Sequence, residues 1–299
     1  MQGPLSFPAP IQRSNILSRC IEVFVLLFVS TLFVAARCSA EDFRSPRSQA
    51  LGGAGHAAPM MNDSIYMNPS FASFLPTYSL SGNWDWYNYA DGSLSGRLWN
   101  ASLQDGRSEL FQAGLAFTRF ENGSLVNIGA GKTASKKLGF GLGAKMFWPI
   151  ADPNGNHVTD MIFSTQFVAT TSFQVSFTAD NLVQNSVAEQ YNFYREFTIG
   201  TKYNALGIVS LYYDPHYAPS VGGTRFGWEG GIEFPLFEDF SLRGGLYKNS
   251  KVPSLNNRGD GWGTGLGWMA PRISFDYAFS RETEPLEDSE HTIGTTIYF

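Results

Sequence analysis

From residue 77 onward, apolar side chains recur at every second position. Ile273, Phe275, Tyr277 and Phe279 alternate with Arg272, Ser274, Asp276 and Ser280. Phe226, Trp228, Ile232 and Phe234 alternate with Arg225, Gly227, Glu229, Gly231 and Glu233, and Leu138, Phe140, Leu142, Ala144 and Met146 with Gly139, Gly141, Gly143 and Lys145. Trp262, Leu266 and Trp268 alternate with Gly261, Gly263, Gly265 and Gly267. A period of two belongs to strands with two unlike faces. It predicts an all-β, antiparallel protein of fourteen strands, near 77–90, 95–104, 109–121, 123–133, 138–148, 159–169, 171–180, 193–203, 206–213, 225–235, 240–248, 261–269, 272–280 and 290–299. Boundaries read from pattern leave room for about twelve to sixteen.

The faces and connections select a transmembrane β-barrel over a soluble sandwich. The polar face is rich in glycine and carries both signs of charge. The apolar face is tipped with Trp84, Trp86, Trp148, Tyr203, Trp228, Trp262, Trp268 and Tyr298, as interfacial girdles require. Connections after even-numbered strands are short (105–108, 134–137, 170, 204–205, 236–239, 270–271). Those after odd-numbered strands are mostly longer (149–158, 181–192, 214–224, 249–260, 281–289), with only Asn122-Gly123 tight. Short turns at one end and long loops at the other mark bacterial outer-membrane barrels. The last strand ends in Ile297, Tyr298 and Phe299, an ending that resembles the sorting signal read by the barrel-assembly machinery. That machinery and outer-membrane lipid are the expected partners.

Composition agrees. In 299 residues, charged side chains make up 16% and aromatics 15%, with 31 glycines and a net charge of −5. Abundant aromatics and low charge exclude disorder, and the acidic balance excludes a nucleic-acid binder. Residues 1–40 read as a cleaved secretory signal: Arg13 and Arg19, an apolar stretch from Val23 to Ala36, then Cys38-Ser39-Ala40 before Glu41. An uncleaved anchor is the alternative, and Arg37 ahead of Cys38 argues against lipidation. Cleavage would remove both cysteines, Cys20 and Cys38, leaving neither disulfide nor thiolate site.

Residues 41–76 do not alternate and read as a plug. A barrel near fourteen strands leaves a hole that its own wall cannot fill, and this small, glycine-rich segment can occupy it. A disordered tail is the alternative. Gly52, Gly53 and Gly55 within Leu51–Gly55, followed by Tyr66 and Asn68-Pro69, resemble the hatch of the long-chain fatty-acid transporter (FadL) superfamily, with Ser70 where alanine is usual. Asn181-Leu182, Leu242-Arg243-Gly244-Gly245 and Asp276-Tyr277-Ala278 resemble its shorter PorV-type members.

Chemical motifs mostly fail. Gly131-Lys132-Thr133 has Val126 where a phosphate loop needs glycine, and His157 and Phe163 break the calcium-loop pattern begun at Asp152. The histidines are His56 in the plug, His157 and His216 in expected outer loops, and His291 at the start of the last strand; none stands visibly beside a serine and an acid. No catalytic residue, metal or cofactor is expected. Alternation turns Lys145, Glu196, Lys202, Arg225, Glu229, Glu233, Arg243, Arg272 and Asp276 inward. Glu229 and Glu233 are then within reach of Arg243, and Arg243 of Asp276. Such a network either ties wall to plug or lines a polar path.

The FadL resemblance implies uptake of a hydrophobic ligand through a plugged lumen with lateral exit, for which Pro235 and Gly244-Gly245 are candidate interruptions. The PorV-type resemblance implies a scaffold receiving protein cargo on loops 282–290 and 212–217. A general porin fits less well, because the plug argues against an open pore. The expected location is the bacterial outer membrane, with both termini on the periplasmic side.

Overall fold

The computed structural model describes residues 43–89, 96–150, 155, 157–184, 186–237, 239–251, 258–285 and 287–299. The expected leader, and Asp152–Asn154 of the calcium-like loop, lie outside these residues.

Fourteen strands form: β1 (Tyr78–Asn88), β2 (Gly96–Asp105), β3 (Gln112–Arg119), β4 (Gly123–Ser135), β5 (Leu138–Pro149), β6 (Val158–Val168), β7 (Phe173–Asp180), β8 (Glu196–Ala205), β9 (Val209–Tyr217), β10 (Phe226–Leu236), β11 (Phe240–Lys251), β12 (Arg258–Ala270), β13 (Ile273–Glu284) and β14 (Ser289–Tyr298). Three short helices accompany them: α1 (Pro46–Ala50), α2 (Ser64–Met67) and α3 (Ser186–Gln190). Every strand pairs antiparallel with its neighbours in sequence, and β1 pairs with β14 from Ser79↔Tyr298 to Asn88↔Ser289. The result is a closed fourteen-stranded barrel. Closure pairs the backbone groups of the first and last strands, as a sheet in hydrocarbon requires.

The expected inside and outside hold along most strands. On β5, Phe140 and Leu142 face out while Gly139, Gly141, Gly143, Lys145 and Phe147 face in. Leu115, Ile128, Ile199, Leu246, Leu266, Phe275 and Ile293 continue the outer apolar belt. Tyr298 departs from it. It turns inward, 8% exposed, and its hydroxyl lies 2.9 Å from Ser274 Oγ, so it is not a girdle residue.

The strands run further toward the long-loop end than alternation suggested. β9 continues to Tyr217, β12 begins at Arg258 and β13 continues to Glu284. Of the two stretches expected to receive cargo, Tyr212, His216, Glu282 and Glu290 are buried in the wall, whereas Tyr213, Thr283, Glu284 and Glu287 are exposed. These stretches hid from pattern reading because they are polar or aromatic on both faces. The chain also crosses the lumen lengthwise. Phe43 packs in a cluster with Leu98, Phe120 and Phe147 at the long-loop end, whereas the backbone N–H of Phe299 donates to Tyr78 O at the other.

A charge on the lipid-facing belt tests the orientation of the wall. Leu142→Lys should cost about 2–4 kcal/mol near the bilayer midplane, read by denaturant unfolding in lipid vesicles. A neutral result would remove β5 from the lipid face.

Candidate functional site

The described plug, from Phe43 to Thr77, circles the inner wall, and the wall is cut to fit it. α1 starts at Ser45, whose side chain accepts from the Ser48 N–H, with Pro46 as its first residue. It ends in Gly52 and Gly53, both at positive φ (69° and 94°), a turn that glycine adopts without strain. The backbone here comes so close to β11 and β12 that a Cβ on Gly245 would sit 2.1 Å from Leu51 C, and one on Gly263 2.2 Å from Gln49 O. Across the lumen, a Cβ on Gly141 would lie 2.1 Å from Ser70 N, and one on Gly131 2.3 Å from Pro69 O. Gly129, Gly131, Gly139, Gly141, Gly245, Gly263 and Gly265 are thus the footprint of the plug, whereas Gly261 and Gly267 make room for the wall side chains Tyr247, Arg243 and Asp276.

Side chains complete the fit. Asn68 is wholly buried; its amide donates to His56 O at 2.7 Å and to Gln166 Oε1 at 2.9 Å, and its carbonyl accepts from Ser70 Oγ at 2.5 Å. Tyr66 donates to Asp63 at 2.7 Å, as Ser45 does at 2.6 Å. Arg47 donates to Glu233 at 3.0 Å and to the Tyr212 hydroxyl at 2.7 Å. Arg243 joins the same group, donating to Glu233 at 2.7 Å and to Asp276 at 2.5 Å.

A second anchor sits where the wall itself is interrupted. Between β8 and β9 the pairing skips Ile199 and Gly200, opposite Pro215 and Asp214. Pro215 has no N–H to give to a ladder. The fully buried Asp214 carboxylate instead accepts from Gly55 N and His56 N, each at 2.8 Å, and from Thr201 N at 3.2 Å, while His56 Nδ1 stands 2.9 Å away. Burial alone would push the His56 imidazolium down. The Asp214 hydrogen bond and charge outweigh it and hold His56 above its ordinary 6.5.

Above the plug, at the long-loop end, part of the lumen is apolar. Leu98, Ala116, Leu125, Phe147 and Val158 face inward from β2 to β6 and meet Ile65, Tyr66 and Met67 of the plug. The β7–β8 connection folds in through α3 and lays Tyr191 and Phe193 on Phe147, with ring centroids 5.5 and 5.6 Å apart. The opposite wall is charged. Arg258 pairs with Glu196 at 2.6 Å and His216 with Glu229 at 3.0 Å, while Lys145 reaches out of the apolar sector from β5 to Asp180 at the end of β7, at 2.7 Å. A cavity of about 70 Å³ separates the two sectors, bordered by Phe43, Met67, Ile162, Glu196 and Lys251. A larger one, about 300 Å³, opens toward the short-turn end among Met60, Phe71, Leu75, Lys202 and Arg243.

Of the charges expected inside, Lys145, Glu196, Lys202, Glu229, Glu233, Arg243 and Asp276 line the lumen. Lys202 lies over the Tyr212 ring at 5.7 Å. Glu229 pairs with His216 rather than with Arg243. Arg225 and Arg272 are exposed, the first just before β10 and the second in the β12–β13 turn, because both strands start one residue later than expected. His216 is wall rather than loop; its Nε2 faces Asn249 O at 3.0 Å. His291 stacks on Trp86 at 5.4 Å, and His157 is exposed. Among the described residues, neither histidine–carboxylate pair has a serine hydrogen-bonded to its ring. Sequence reading missed the apolar chamber, since Leu98, Leu125, Phe147 and Val158 stand where alternation led one to expect polar residues.

Asp214→Ala should strip a buried acceptor from three backbone donors, at about 1–3 kcal/mol for each donor left unsatisfied. Hydrogen exchange should then show lost protection at residues 55–58, with the barrel amides other than Thr201 still protected. The His56–Asp214 pair has a sign as well. Its stabilisation is complete below the ordinary histidine value and is lost as pH rises through the raised one. Protection factors at residues 55–58 should fall over that interval in the wild type and stay level in Asp214→Asn.

No protein-family model matches the sequence, and no curated protein is similar to it in sequence. Solved structures do share its shape. The CymD monoaromatic hydrocarbon channel superposes with a TM-score of 0.60 at 13% identity, covering 85% of this chain and 97% of that one. The Pseudomonas putida toluene transporter TodX gives 0.60 at 11% identity, over 88% and 99%. A Pseudomonas aeruginosa FadL homologue gives 0.56 at 9% identity, over 88% and 99%. At such identities the likeness is one of fold, and over nearly their whole length these channels have the fold of this chain.

Proposed function

We propose that the protein is a bacterial outer-membrane channel that admits apolar small molecules past an internal plug. The apolar chamber carries this reading. An inward Phe147, Leu98, Leu125 and Val158 capped by Tyr191 and Phe193 would be a poor lining for a water-filled pore. It suits the desolvation of a hydrocarbon-like solute, because removing apolar surface from water is favourable and non-directional. The fold shared with proteins described as a toluene transporter and a monoaromatic hydrocarbon channel supports the same class. In this reading the long loops face outward, the solute enters the chamber, and the plug must shift to let it pass.

Uptake of radiolabelled toluene by cells lacking their own such channels tests it. Expression should raise the initial rate, and Phe147→Asp with Leu125→Asp should return it to background while the barrel still migrates as folded. Equal uptake with and without the protein would sink the proposal. In planar bilayers the intact protein should show little steady conductance, and a large ohmic conductance would refute an occluding plug.

A further inference from the structure

The closing seam of the barrel carries acid without matching base. Asp85, on β1, is wholly buried, and neither of its carboxylate oxygens has a hydrogen-bond partner. The register sets it opposite Thr292 and sets Tyr87, the next inward residue, opposite Glu290. Asp85 and Glu290 are therefore diagonal neighbours on one face, within about 7–8 Å at Cβ. Thr292 is also wholly buried; its hydroxyl faces Asp85 but is outside hydrogen-bond geometry with it or with any other group. From inside the lumen, α1 brings Gln49 beside Glu290. The Gln49 amide nitrogen donates to Ser280 Oγ at 3.0 Å and also faces the Glu290 carboxylate, and its carbonyl oxygen has no partner. Arg44 lends Glu290 some positive potential, but its guanidinium donates to Ser250 at 2.6 Å and lies over the Tyr247 ring at 5.3 Å.

Buried carboxylates are stable when they are paired, protonated or coordinating a metal. The orphaned atoms here are all oxygens: a carboxylate, a hydroxyl and an amide carbonyl, with a second carboxylate alongside. No ring nitrogen or sulfur joins them, since His291 on the same strand stacks outside on Trp86. An all-oxygen donor set selects a hard cation. Among the described residues no three histidine, cysteine or acidic side chains converge on one point. The set is thus two carboxylates completed by neutral oxygens and water, which suits a weak site filled at about 0.1–1 mM calcium. We propose that Asp85, Glu290, Thr292 and the plug residue Gln49 bind one calcium ion at the long-loop end of the β1–β14 seam. The ion ties the first strand, the last strand and the plug together.

The test uses the full-length protein in detergent, freed of metal with EGTA. Equilibrium dialysis against ⁴⁵Ca²⁺ should show saturable binding of about one ion per chain, and calcium should raise the temperature at which the folded band is lost on gels. Asp85→Asn and Glu290→Gln should each abolish both effects, and Thr292→Val should weaken them. Glu287→Gln, an exposed acid paired with Arg281, should leave them intact. Should Asp85→Asn fail to fold, the Glu290 and Thr292 variants decide alone. Absence of saturable binding to folded wild type would overturn the proposal, as would undiminished binding in any folded seam variant. A seam variant more stable than a calcium-indifferent wild type would show instead that Asp85 and Glu290 share a proton. An equal response to magnesium would overturn the assignment to calcium.

Discussion

A sheet cannot keep an open edge in hydrocarbon, because each unpaired backbone group there has no water to turn to. From that requirement the rest of this structure follows. β1 must meet β14, and a ring of fourteen strands is too wide for wall side chains to fill. The space is taken by the plug, whose own backbone then needs partners and room. The room comes from glycines such as Gly141, Gly245 and Gly263. The partners come from wall side chains such as Asp214 and Gln166, which do for the plug what a ladder does for a strand.

The lumen that results is divided rather than uniformly polar. Charges gather on β8 to β13, where Glu233 serves Arg47 of the plug and Arg243 of the wall at once. Ion pairs of this kind contribute little net stability, since burial costs what attraction returns, but breaking one leaves an uncompensated charge. They fix position. The β2–β6 side is apolar at the long-loop end and is held by packing, which adapts to shape more readily than a hydrogen-bond network does. One side of the lumen is therefore rigid and specified, and the other is compliant.

Strand number, wall orientation and the plug were legible because each follows from a strong local pattern: period two, loop lengths sorted by parity, and a glycine-rich segment that does not alternate. The inward glycines were legible as small positions, though what they touch was not, because a contact between Gly141 and Ser70 spans residues that no local pattern links. The ends of β9 and β13 were lost where both faces are polar or aromatic, so that His216 and Glu282 read as loop. Pairing of charges was half legible. Adjacency of strands brought Arg243 to Glu233, and the inward Gly267 lets it reach across β12 to Asp276, but Glu229 found His216, a residue that the expected boundary of β9 had placed outside the barrel. The apolar chamber broke the alternation itself, since Leu98, Leu125, Phe147 and Val158 put apolar side chains on the inward face.

The course of the plug also constrains how the molecule is made. The chain passes from Phe43 at the long-loop end, around the lumen, to Thr77 at the other, and only then becomes β1. A ring that closed first would have to be threaded by this segment, with its buried Asn68 and Asp63, through a space it fills. A wall that curls around a segment already lying in its hollow avoids that threading, and on such a route the β1–β14 seam is the last join and the plug is the form on which the barrel is cast.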